Sequence, residues 1–175
     1  MATLQGARPL KIAMKTMFET YLSAKITALA TELGLDTAPD DLKQITRIYR
    51  CRKYPSGTDQ LPLMMIYALK ANQNRTTHGP QKIAKYIIAV HVICWHQDNE
   101  ETAEDLSDAY ARAVLEVAVE HTSLGVTGVS PGSWWSFDQE FDAFLIPAED
   151  KETSHYIAQS ICWFEVTYTE RNSPG

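Results

Sequence analysis

Between Pro9 and Leu33, apolar residues return every three or four positions: Leu10, Ala13, Met14, Met17, Phe18, Tyr21, Leu22, Ile26, Leu29, Ala30 and Leu33. This spacing predicts an amphipathic helix. Pro9 suits the first helical turn and Gly34 the residue just past the end. At a rise of 1.5 Å per residue the helix would run about 36 Å, so its apolar stripe needs an equally long surface to lie on. A second stripe follows the same period from Asp98 to His121: Leu106, Ala109, Tyr110, Ala113, Val114, Val117 and Ala118. Asp98 or Asn99 would cap it, and Glu100, Glu101, Glu104 and Asp105 place negative charge at its positive end.

The rest of the chain follows the period of a strand or none. Gln44 to Lys53 alternates and predicts a strand with mixed faces. Tyr54 to Asp59 predicts a turn, and Leu61 to Lys70 a short apolar strand with Pro62 at its start. Ala71 to Gln81 is polar, contains Gly79-Pro80, and predicts a mobile loop. Lys82 to Gln97 is rich in β-branched residues and apolar on both faces, the pattern of a buried central strand. It far exceeds the usual five or six residues, so part of it is expected to pair or pack outside the subunit core. Thr122 to Phe137 predicts a loop of Gly, Ser and Trp, Phe141 to Ala148 a fourth strand, and Ser154 to Glu170 a long fifth strand. Arg171 to Gly175 predicts a short flexible tail. The whole of residues 1–175 is expected to form one α+β domain, a mostly antiparallel sheet of about five strands packed against two helices. The order is helix, three strands, helix, two strands.

Composition narrows the function. Apolar residues make up 45% of the chain, enough for a folded core. A net charge of −6 disfavours broad nucleic-acid binding unless a basic patch supplies it. Arg47, Arg50, Arg52 and Lys53 are the one short candidate, and a solvated strand face accounts for them. Cys51, Cys94 and Cys162 are odd in number and all fall on expected strands. Buried free thiols in a reducing compartment fit them better than disulfides. No apolar run precedes the first charges as in a secretory signal, and no run approaches the ~18 residues of a membrane span.

Three constellations invite a catalytic or metal reading. Gly128-Val129-Ser130-Pro131-Gly132 matches the nucleophile-elbow pattern, with Asp142 or Asp150 and His155 in hydrolase order. Pro131 follows the serine, however, and has no N–H to give an oxyanion hole. His91, Cys94 and His96 resemble metal ligands, but strand alternation turns His91 away from the other two. Glu100, Glu101, Glu104, Asp105 and Asp108 are better explained as dipole partners and solvated face than as acid–base carboxylates. No catalytic, cofactor-binding or metal-binding residue is expected, and the chain is not expected to be an enzyme. Trp134, Trp135 and Phe137 form a candidate aromatic interface. Asn72, Asn74, Arg75 and His78 form a candidate partner-contact loop.

The helix MKTMFETYLSAKITALATELGL, the strand KIAKYIIAVHVICWHQ leading into ETAEDLSDAYARAVLEVAVEH, and the last strand YIAQSICWFEVTYTE stand in an order that resembles the tail terminator proteins of tailed bacteriophages. The resemblance implies a homohexameric ring that caps the tail tube and joins it to the neck or head connector. Its partners would be the tail tube protein, a neck or stopper protein and possibly a sheath. DNA would pass through the lumen without specific binding, and the protein would reside in the virion after assembly in the bacterial cytoplasm. The same element order also occurs in type III secretion chaperones, dimers that bind an extended effector segment. This chain lacks the final helix often found there.

Overall fold

The computed structural model describes residues 6–38, 40–53, 60–74, 81–97, 99–121, 124–125, 134–146 and 155–171. The first helix, α1, spans Arg8–Leu33 with Pro9 in its first turn. It ends at Gly34, which adopts φ 70 and ψ 23, a left-handed conformation that a residue with a Cβ enters at a cost. Nothing lies within 4 Å of an added Cβ there, so that cost is conformational and not steric. The second helix, α2, spans Glu100–Glu120. Of the two caps the sequence offers, Asn99 is in place: its side chain accepts from the Thr102 N–H at 3.1 Å. Glu100 and Glu101 occupy the first turn, as the dipole favours.

The helices run antiparallel. Lys25 reaches Glu116 and Glu120, Arg112 reaches Glu32, and the Tyr21 ring stacks on His121 at 3.6 Å. The Glu120 hydrogen bond, above all, holds the Lys25 ammonium above its ordinary range. Thr20, Thr27 and Thr31 bond back to the carbonyl four residues earlier, which satisfies their hydroxyls within α1.

The five strands are β1 Arg47–Tyr49, β2 Leu63–Asn74, β3 Gln81–His96, β4 Trp134–Ile146 and β5 His155–Arg171. They form one sheet in the order β1-β2-β3-β5-β4. Every pairing is antiparallel except β1 with β2. The expected α+β fold, with two helices on a mostly antiparallel sheet, is the one observed. β3 and β5 pair without a break from Gln81↔Arg171 to His96↔Tyr156.

Four expectations need correction. The strand expected over Gln44 to Lys53 shortens to three residues, since only Arg47–Tyr49 meet β2. Its basic end instead lies over aromatic rings: Arg52 stands 4.5 Å from the Tyr67 ring centroid and Lys53 4.5 Å from that of Tyr49. Ala71 to Asn74, expected in a loop, continue β2 by pairing with Tyr86, Lys85, Ala84 and Ile83. Trp134 to Phe137, also expected in a loop, begin β4, whose pairing with β5 starts at Trp134↔Val166. Finally, the length of β3 is consumed inside the chain, because β5 pairs all of it and β2 pairs Ile83 to Ile93.

Alternate residues build two apolar layers. On the helix side, Met64, Ile66, Ile88, Val90, Val92, Cys94, Cys162, Phe164 and Val166 pack with Phe18, Leu22, Ile26, Ala113, Val114 and Val117. Tyr110 is buried there and donates from its hydroxyl to the Lys43 carbonyl at 2.7 Å, tying the segment between α1 and β1 to α2. Burial raises its pKa. On the opposite side, Leu61, Leu63, Met65, Tyr67, Ala89, Ile93 and Ile157 form a smaller buried cluster, with Tyr49, Trp95, Ile161 and Trp163 partly buried around it.

Candidate assembly site

A sheet satisfies its backbone groups strand by strand, so its outermost strands are where a second chain can pair. At one end of this sheet is β4, which pairs with β5 and with no other described strand. At the other end is β1, which covers only Leu63 to Met65 of β2. From Ala68 to Asn74, β2 pairs with β3 on one side and with no described strand on the other. Both strands carry a register irregularity, between Ala68 and Lys70 in β2 and between Ser136 and Asp138 in β4. Beyond it each ladder is regular: Lys70 to Asn74 in β2, and Asp138 to Ile146 in β4. Leu69, at the β2 irregularity, is 40% exposed, a large apolar side chain left in water at the open edge.

The face of the sheet away from the helices carries the polar side chains that the apolar layers exclude. His91 is buried, and its Nε2 stands 2.9 Å from Gln159 Oε1. A neutral imidazole with its proton on Nε2 donates to that oxygen. The Tyr67 ring meets His91 edge-on at 6.4 Å and carries Arg52 over its face. Burial, the larger cause, and the Arg52 charge both lower the His91 pKa, against a smaller raising effect from Gln159. Trp163 Nε1 is buried, with no hydrogen-bond partner among the described residues. Farther along, the face becomes solvated, and Lys85 pairs with Glu165 at 2.8 Å.

The sequence candidates are dispersed by this architecture. Asn72 and Asn74 lie on β2. Arg75 and His78, from the same proposed loop, fall outside the described residues. Trp134, Trp135 and Phe137 lie on β4, with Trp135 paired to Glu165. Gly128 to Gly132 and Asp150 also fall outside the described residues, while Asp142 pairs with Gln159 in the β4–β5 ladder.

The three metal-like residues of β3 are held apart. His91 faces Gln159, while His96 Nε2 lies 2.7 Å from Asp40 Oδ1 without hydrogen-bond alignment. Cys94 Sγ lies 3.8 Å from the Ala103 carbonyl. Burial pushes the thiols of Cys94 and Cys162 up to about 12, which keeps them protonated, whereas Cys51, expected on a strand and buried with them, is exposed and lies beyond the end of β1. Among the described residues no group of three His, Cys, Asp or Glu side chains converges on a metal position. A cleft between Asp41, Lys43, Pro62, Cys94, Trp95, Leu106 and Tyr110 has room for about 10 Å³, the scale of a single water. No described helix is long and apolar enough to cross a membrane. Sequence reasoning missed the open β2 edge because it divided Ala71–Asn74 from the strand; the polar run ANQN carries no strand signal of its own.

No family model matches the chain, and no curated protein matches it. Among solved structures, a chain from the virion of a native gene transfer agent particle is similar, with 12% sequence identity and a TM-score of 0.48, over 96% of this chain and 100% of that one.

Proposed function

We infer that this chain is a virion structural protein of the tail-terminator type, a ring-forming subunit that caps a phage tail tube and joins it to the neck. The observation that carries this reading is the sheet, which at each end has a strand edge that no other described strand covers. Edges at opposite ends of one sheet favour head-to-tail association, and a head-to-tail contact that closes makes a ring. The element order and the long strands that resemble tail terminators support the same reading. On this reading the protein works by assembly and not by catalysis. A ring with a net charge of −6 per subunit would let DNA pass without adhering to its lumen.

Light scattering on the purified chain, alone and with its tail tube, tests the reading. It expects a species of about six protomers, free or on the tube end. A stable dimer that binds an extended peptide and ignores the tube would replace it with the secretion-chaperone reading.

A further inference from the structure

A ring of such subunits needs a defined junction, and the sheet offers two unlike edges for it. The strand order and antiparallel pairings make β2 and β5 run one way and β3 and β4 the other. If a neighbour continues the sheet, β4 of one copy therefore meets β2 of the next in antiparallel sense. The short β1 leaves room for this only beyond Met65, where the regular run Lys70 to Asn74 begins. That run is close to the usual strand length of about five or six residues. The facing β4 run, Asp138 to Ile146, is long enough to accept it.

Charge selects the same partner. Asp138, Glu140 and Asp142 sit on the β4 edge strand, whereas the β2 run carries Lys70 and no acid. Two β4 edges brought together would pair runs that each carry three acids and no base, which like-charge repulsion disfavours. Neither run contains proline, a common device for keeping an edge from pairing. The exposed apolar Leu69 stands at the entrance to the β2 run.

We propose that subunits join through antiparallel pairing of Lys70–Asn74 of one copy with the Asp138–Ile146 edge of a second copy of this chain, extending one sheet into the next. This inference rests on the ring reading above and specifies its interface.

Cysteine scanning tests it. In a Cys51→Ser background, which removes the exposed thiol, Asn72→Cys is combined with a cysteine at each position from Asp138 to Ile146 in turn. Facing residues in an antiparallel pair lie about 4.5–5.5 Å apart at Cα, within disulfide reach. Only variants that keep the wild-type circular dichroism spectrum are scored, and the nine partner positions ensure that some remain.

The expected result is a covalent dimer when an Asn72→Cys subunit is mixed with one or two of the β4 variants, and none from either variant alone. A double variant should give a covalent ladder. Moving one cysteine two residues forward and the other two back should preserve the link, as antiparallel order requires. Links preserved by shifts in the same direction overturn the antiparallel order. Links of a single variant to itself overturn the head-to-tail junction. Links to a different virion protein overturn the choice of a second copy. Rings seen by light scattering with no link at any position place the interface elsewhere and leave the ring reading standing. Absence of any assembly, alone or on tube ends, defeats the ring reading itself.

Discussion

The two faces of β3 are made from alternate residues of one run, yet they have different characters. Toward the helices, Ala84, Tyr86, Ile88, Val90, Val92 and Cys94 are all buried in one continuous apolar layer. Toward the other side, Lys85 is exposed, Ile87 is half-buried, and Ala89, His91 and Ile93 are buried beside Arg52, Tyr67 and Gln159. The first face has a single task, the core of the subunit. The second mixes apolar packing with polar groups and carries the solvated end of the sheet. Backbone pairing is the same for both, so the difference comes from side chains alone. The helix-side layer is accordingly expected to set stability, and the other face to tolerate change more readily.

The largest effect should come from Phe164→Ala on the helix side. Phe164 is fully buried, and removing its ring leaves a cavity among close-packed neighbours. Urea denaturation should show a loss of about 3–5 kcal/mol. Met65→Ala probes the opposite layer at 1% exposure and should cost about 2–3 kcal/mol, because its smaller surroundings relax more easily. A Met65 loss equal to that of Phe164 would erase the proposed difference between the faces.

Tyr110→Phe should cost about 1–2 kcal/mol in the same assay, since it leaves the Lys43 carbonyl without its donor. His91 contributes a dependence on pH. Its pKa is lowered in the folded state, so the unfolded chain binds the proton more readily. Stability should be unaffected above about pH 6.5, fall as pH drops below that value, and level off below the folded-state pKa. Thermal melts from pH 7.5 to 5 should show this decline in the wild type and a smaller one in His91→Gln. The smallest effect is expected from Lys85→Ala. Its pair with Glu165 is exposed on both sides, and its loss should cost about 0.2–1 kcal/mol, less in high salt.

The legible parts of the fold are those where one strong period acts alone. The α1 stripe with Pro9 and Gly34 marks its ends closely, and the β-branched runs of β3 and β5 announce themselves. What escaped depends on pairing with another segment and not on the local pattern. Ala71 to Asn74 become strand because Ile83 to Tyr86 return to pair with them, a matter of hairpin closure and not of propensity. Trp134 to Phe137 join β4 through β5 in the same way. β1 is short because only Arg47–Tyr49 reach β2, which no local alternation reveals.

The candidate assembly site was legible only in outline. Long strands suggested interface elements, but β3, the most conspicuous, lies in the centre of the sheet. The open edges belong to β2 and β4, and only the strand order discloses that. Asn72 and Asn74, expected in a loop, stand on β2 beyond the part that β1 covers.

Assembly state is the most direct test of the proposed function, a ring of subunits that closes on the end of a tail tube. Light scattering across a range of protein concentrations, with and without tail tubes, should show a closed species of about six protomers, free or bound at the tube end. A dimer that persists at every concentration and leaves tube ends bare would contradict it.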